Sequence, residues 1–312
     1  MKWFKRVGYF ILTNILVVLT ISLIVGVITH FLGINLNDQG YAGLFALCLL
    51  WGFVGAFFSL LISRWSAKMF HGVKVIDPNT TVPAERKFLD TVYGIARRAG
   101  LEKMPEVGYY ESAEVNAFAT GPTKNRSLVA VSSGLLNTMS DAEVEGVLAH
   151  EIAHIVNGDM VTLTLVQGVV NSFAMFIAQI VTMAVMNALR RDDDRRGMGD
   201  FFLRQMIYTT VSVVTTLLGS IVVAYFSRAR EFRADAGGAR FSTTEKMTAA
   251  LQRLQRLHDI PQQQTPADKN EASIAAFKIS GRTSGIARLF MTHPPLEERI
   301  EALRNKTYAS SI

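Results

Sequence analysis

Residues 7–33, 40–62, 163–189 and 206–226 contain no Asp, Glu, Lys or Arg, and this pattern limits the fold more than any other. At 1.5 Å per residue, each stretch is long enough for a helix to cross a hydrocarbon core roughly 30 Å thick. Only a helix or a closed barrel satisfies its backbone there, so four helical segments are expected. Hydrophobic residues make up 49% of the 312 positions and charged residues 19%. A soluble domain carries about 25% charged residues, and the deficit here is concentrated in the four stretches. Disorder, a fibrous repeat and a disulfide scaffold are excluded. Cys48 is the one cysteine, so a metal would have to be held by His and carboxylate.

Lys2, Lys5 and Arg6 precede the first stretch, and Arg64, Lys68 and Lys74 follow the second. The connector 34–39 holds Asp38 and no basic residue, so both outer flanks are expected in the cytoplasm. The first stretch is too long for a signal-peptide core and is closely followed by another, which makes it an uncleaved span. The loop 190–204 runs against this pattern. It carries Arg190, Arg191, Arg195, Arg196 and Arg204, yet four crossings place it outside. The formal net charge of +6 reads as membrane orientation and contact with anionic lipid. There is no internal repeat, RNA-binding aromatic signature or zinc-finger spacing, so nucleic acid is not an expected partner.

The expected organisation is a two-span anchor over 1–63, a first aqueous part over 64–160, a membrane hairpin over 161–226 and a second aqueous part over 227–312. The first aqueous part predicts a helix over 84–99 ending at Gly100. Short strands follow over 106–110, 115–120 and 127–132, separated by Gly121-Pro122 and Lys124-Asn125 turns. The second predicts a helix over 244–258, a loop over 261–270 and a helix after Pro295. Together they form a small α+β domain split by a hairpin.

The chemistry centres on His150-Glu151-Ile152-Ala153-His154. At 3.6 residues per turn the two histidines share a helix face and can reach one metal, with Glu151 beside them to take a proton from a metal-bound water. Ser140 and Glu143 form a capping box, and Asn157-Gly158 ends the helix. Two core histidines on an amphipathic helix are the bland alternative. A catalytic zinc wants a third protein ligand and an open position. Glu231 qualifies by sidedness, since two further crossings return the chain to the same face. Asp235 lies four residues on and can accept from a ligand His. The competing reading is a solvated face on which Glu231 pairs with Arg228.

The two N-terminal spans, Asn116-Ala117-Phe118-Ala119-Thr120-Gly121, His150 to His154, the hairpin, Ser227 to Asp235 and Thr292-His293-Pro294-Pro295 occur in an order that resembles the HtpX family of bacterial membrane zinc metalloproteases. These are relatives of the CAAX prenyl endopeptidases. The resemblance covers nearly the whole chain; 190–204 and 261–270 carry little of it. It implies an α-helical membrane protein with a cytoplasmic, zincin-like α+β metalloprotease domain in the bacterial inner membrane. It implies one zinc per chain, held by His150, His154 and Glu231 and supported by Asp235, with Glu151 as general base. The implied activity is endoproteolysis of unfolded or membrane-protein substrates in stress-related quality control. His293 is a candidate donor to the oxyanion, or alternatively a capping or packing histidine. Arg299 is expected to brace that loop by an ion pair. Residues 115–120 are a candidate edge strand for an extended substrate, with Asn116 either positioning substrate or simply ending the strand.

An intramembrane metalloprotease is excluded, because the motif helix begins with Asp141, Glu143 and Glu145 and precedes its apolar stretch. A CAAX-type prenyl-peptide endopeptidase and a non-catalytic zinc-containing membrane protein are the alternatives; the second makes Glu151 dispensable. Nothing in the sequence fixes the oligomeric state.

Overall fold

A computed structural model of the chain describes residues 40–189, 198–259 and 285–305, with Leu23, Val27 and His30 as separate helical positions. The expected first crossing over 7–33 otherwise lies outside the described residues, as do positions 190–197 and the loop over 261–270. In chain order the elements begin with α1 (Gly40–Phe70), β1 (Lys74–Val75), α2 (Pro83–Arg98), β2 (Glu106–Tyr110), β3 (Ala117–Thr123) and β4 (Arg126–Ser132). They continue with α3 (Ser133–Thr138), α4 (Asp141–Asn157), α5 (Asp159–Leu189) and α6 (Met198–Phe241). The last are α7 (Thr244–Asp259), α8 (Gly285–Phe290) and α9 (Leu296–Asn305). The chain divides into two compact units, Met1–Ser59 with Thr164–Val223, and Leu60–Leu163 with Ala224–Ile312.

Among the described residues three helices are long and apolar enough to cross a membrane: α1, α5 and α6. All three outrun the uncharged stretches that announced them. α1 has 31 residues and α6 has 44, so each continues through basic residues beyond 62 and 226. Charge leaves a lipid core but does not stop a helix; that takes a cap, a glycine or a proline. Within the first unit, α1 and α5 approach closely at Gly52. A Cβ there would lie 2.2 Å from Ser172 Oγ and 2.7 Å from the Gly168 carbonyl oxygen, the close backbone approach that small residues permit between apolar helices. Several polar side chains on α5 bond within the helix. Gln167 Nε2 donates to Asn171 Oδ1 at 2.7 Å and Ser172 Oγ to the Gly168 carbonyl at 2.6 Å.

The second unit is built on a four-stranded sheet in the order β1-β2-β4-β3, with β2 and β4 parallel and the other pairs antiparallel. Leu128, Val129, Ala130 and Val131 of central β4 are fully buried, as expected of a strand covered on both faces. Val129 and Val131 pack with Leu89, Val92 and Ile95 of α2 and Leu148, Ile152 and Ile155 of α4. Leu128 and Ala130 face the other way, toward Ala67, Val73 and Tyr110. Each such aliphatic side chain contributes about 1.5–3 kcal/mol on burial, so α4 is fixed against the sheet by its apolar stripe.

β3 is an edge strand and departs from the sequence reading. It runs on through Gly121-Pro122, and only Lys124-Asn125 makes the turn. The register shifts between Thr120 and Thr123. Gly121, at φ 145°, adopts a backbone closed to most residues, and a Cβ there would lie 2.2 Å from the Arg126 carbonyl oxygen. Proline is tolerated because an edge strand has one side without a ladder partner. The local composition of a turn therefore serves as an irregularity inside a strand.

Candidate metal centre

All the described groups of the centre lie in the second unit. Serine and glycine set the limits of α4. Ser140 Oγ accepts from the Glu143 N–H while Glu143 Oε2 accepts from the Ser140 N–H, and Gly158 closes the helix at φ 69°. With its apolar face on the sheet, α4 turns His150 and His154 toward α6. That helix comes near because its facing residues are small. A Cβ on Gly238 would lie 3.2 Å from the His150 backbone nitrogen, and one on Gly237 would lie 2.6 Å from Ala153 Cβ. Glu231, completely buried, is thereby delivered to both imidazoles.

His150 Nε2 and His154 Nε2 are 3.1 Å apart, and each is 3.5 Å from a different oxygen of Glu231. One ligand atom from each residue lies within 4.8 Å of the others. On the far side of the rings, His154 Nδ1 is 2.7 Å from Asp159 Oδ2. His150 Nδ1 is 2.9 Å from Asp235 Oδ1, though bent away from a well-directed hydrogen bond.

Ionised carboxylates only accept, so each Nδ1 carries a hydrogen and each neutral ring presents a lone pair at Nε2. Two such lone pairs converge with Glu231 Oε1, a buried oxygen that has no hydrogen-bond donor. Only a cation or a proton relieves that arrangement. Without a cation the chain supplies a proton. Burial favours neutral His150, but the Asp235 and Glu231 carboxylates outweigh it and push its pKa up to about 9. The same balance, led by burial and reversed by Asp159 and Glu231, raises His154. Two imidazoles and a carboxylate, each imidazole backed by a second carboxylate, suit a divalent transition metal.

Arg299, almost fully buried, grips Asp235 with Nε at 2.8 Å from Oδ2 and Nη2 at 2.7 Å from Oδ1. Its Nη1 lies 3.5 Å from Glu231 Oε2. His293, on the loop before α9, places Nδ1 2.8 Å from the same Glu231 oxygen, and its side chain is 61% exposed. Glu151 projects from α4 beside the ligands, and its carboxylate has no hydrogen bond or ion pair among the described residues. Asn116 makes no hydrogen bond to these groups. It precedes β3 and is exposed; its backbone N–H donates to Ser132 Oγ at 3.1 Å and its carbonyl accepts the Ser132 N–H at 2.9 Å.

Sequence reasoning missed Asp159. It is buried, holds His154 Nδ1, and has Arg233 Nη2 3.4 Å from its other oxygen. A lone acid opening an apolar helix directly after a helix stop was the available signal.

Residues 84–307 match the profile of peptidase family M48. The chain belongs to this family. It is 47% identical over 304 residues to protease HtpX of Shewanella loihica, covering 96% of this chain and 99% of that protein. It is 46% identical over 309 residues to a protease HtpX homolog of Bacillus licheniformis, with 97% and 99% covered. The crystal structure of S. mikatae Ste24p superposes with a TM-score of 0.59 at 17% identity. That match covers 94% of this chain, which spans 65% of the Ste24p chain, and at such identity it is the fold that is shared. Membership of the family and near-complete HtpX relatives make the chain a membrane metalloprotease. The cluster of His150, His154 and Glu231 is a group able to hold its metal ion.

Proposed function

We propose that the chain is a zinc endopeptidase of the bacterial inner membrane that cleaves unfolded or damaged membrane proteins. The domain layout over 1–63, 64–160, 161–226 and 227–312, with four membrane segments and a cytoplasmic protease unit, belongs to this reading. Lys2, Lys5, Arg6, Arg64, Lys68 and Lys74 support that orientation. The observation that carries the function is the convergence of two imidazole Nε2 atoms and an orphaned carboxylate oxygen on one point, beside an unpaired Glu151.

In this reading His150, His154 and Glu231 hold one zinc, while Asp235 and Asp159 fix the two rings through Nδ1. The ion supplies Lewis acidity, lowering the pKa of water to about 7 and polarising a peptide carbonyl. Glu151 accepts the proton that the attacking water gives up and returns it to the leaving amine nitrogen. His293 reaches the centre from the opposite wall and donates to the developing oxyanion. The free side of β3 receives an extended peptide by main-chain pairing, with Asn116 at the start of that edge. A strand edge reads backbone more than side chains, which fits substrates that share disorder rather than sequence.

The test pairs zinc content with cleavage of an unfolded protein in detergent, for wild type and Glu151→Gln. Both should bind about one zinc, and the variant should lose about 10²–10⁴-fold in kcat. Zinc in both with equal cleavage would remove Glu151 from the mechanism. Zinc in both with no cleavage of any unfolded or membrane protein would favour a prenyl-peptide substrate or a non-catalytic metal.

A further inference from the structure

His293 sits on a loop between two short helices, and nothing in its own sequence explains how the ring is kept on Glu231. The answer lies on α6. Arg228, Glu231 and Asp235 are spaced i, i+3 and i+7, so they share one face of that helix. Each meets a successive point of the segment 288–299. Asp235 takes Arg299 and Glu231 takes His293. Arg228 Nη1 donates to the Met291 carbonyl at 2.7 Å, with the Leu289 and Arg288 carbonyls at 3.2 and 3.4 Å. These are the carbonyls at and just after the end of α8, where helical partners run out and a cation is favoured; the Arg288 carbonyl also accepts the Met291 N–H at 3.4 Å. The loop carrying His293 is therefore anchored on both sides by charged groups of the helix that supplies Glu231. Met291 is only two residues before His293, too few to leave the ring much independent travel.

We infer that Arg228 is a positioning residue for the reaction, acting through His293 by clamping the carbonyls of Arg288, Leu289 and Met291 to the metal-bearing face of α6. Lysine also supplies a charge and donors from one nitrogen but lacks the longer reach and fixed planar shape that set Nη1 among these carbonyls, so Arg228→Lys keeps part of the effect. This assignment rests on the catalytic role given to His293 above, and two readouts separate the two claims.

The first readout is placement. Full-length, metal-loaded protein in detergent, carrying Glu151→Gln to stop self-cleavage, is treated with diethyl pyrocarbonate and each histidine is followed by mass spectrometry. Arg228→Ala should raise the modification rate of His293 severalfold and Arg228→Lys by less. Exposed His71 should be unchanged and the ligands His150 and His154 should stay protected. An unchanged rate at His293 overturns the inference, and so does exposure of His150 and His154 in parallel, which would mark general unfolding.

The second readout is a double-mutant cycle on kcat in the Glu151 background of the wild type. Arg228→Ala should lower kcat about tenfold with little change in KM or zinc content. In a His293→Ala background it should cost almost nothing further. Full additivity overturns the inference. Full activity of His293→Ala alone would instead defeat the role proposed for His293, while the modification rates still decide whether Arg228 holds the loop.

Discussion

The two walls of the metal centre are built by opposite means. α4 brings two of the proposed ligands, His150 and His154, from a single turn of one capped helix. Its geometry follows from residues within a 19-position window, Ser140 to Gly158. The facing wall brings Glu231 on α6 and His293 on a loop, with Arg228, Asp235 and Arg299 tying them together. These partners are up to 64 residues apart, and each depends on tertiary placement. Local instructions make a wall that survives small insults. Long-range pairing makes one that fails when a single spacing changes.

The largest expected break is at the far wall's ligand. Glu231→Ala should abolish stable zinc binding at micromolar metal, measured by metal content after dialysis. Asp159→Asn, which leaves all three ligands in place, should weaken affinity by about 10–100-fold. If the two variants bind zinc equally well, Glu231 is not a ligand. Next is the approach of the walls. Gly238→Val pushes a side chain to within about 3 Å of the His150 backbone, and overpacking of this kind costs about 1–3 kcal/mol. Thermal unfolding and zinc affinity should fall together; a fall in stability with unchanged affinity would show that the separation of α4 and α6 does not tune the site.

pH sharpens the comparison in a different way. His150 is raised above its ordinary value to about 9 in the metal-free protein. Its charged form therefore adds stability fully below about pH 6.5, the unfolded value, and loses it as pH rises toward 9. Melting of metal-free protein should follow that trend. Zinc has to displace this proton, so its affinity should rise with pH up to about 9, by up to tenfold per unit. A competitive chelator titration at several pH values reads the slope, and a flat response would mean that the ring is already neutral. The smallest effect belongs to the local wall. Ser140→Ala removes a cap and should cost about 1 kcal/mol, seen as a lower Tm with zinc stoichiometry intact.

The same contrast explains what was legible in the sequence. The boundaries of α4 and its histidine pair were readable because cap, stripe and motif lie within a few turns. Strands β2 and β4 were readable as apolar runs. α6 was read as an apolar stretch and, from the spacing of Glu231 and Asp235, as helix just beyond it; its continuation to Phe241 carries no stop until Ser242, whose Oγ bonds back to the Gly238 carbonyl at 2.7 Å. Asp159 was passed over because its pairing with His154 runs across the helix stop at Gly158, which a spacing rule within one helix does not encode. β3 was shortened because Gly121-Pro122 is chemically a turn and becomes strand only beside β4. Glu231 was reachable by counting crossings; the contact of His293 with it was not.

The irregular edge of β3 has a consequence for the company this enzyme can keep. An unguarded sheet margin invites any extended chain, including a second copy of itself, to zip along its length. Pro122 lacks an amide hydrogen and the kink at Gly121 interrupts the register, so regular pairing is confined to Ala117 through Thr120. A berth of that length can hold a slack strand briefly but cannot template a growing stack. If β3 receives substrate as proposed, the margin is open enough to take loose polypeptide and too short to be fouled by it.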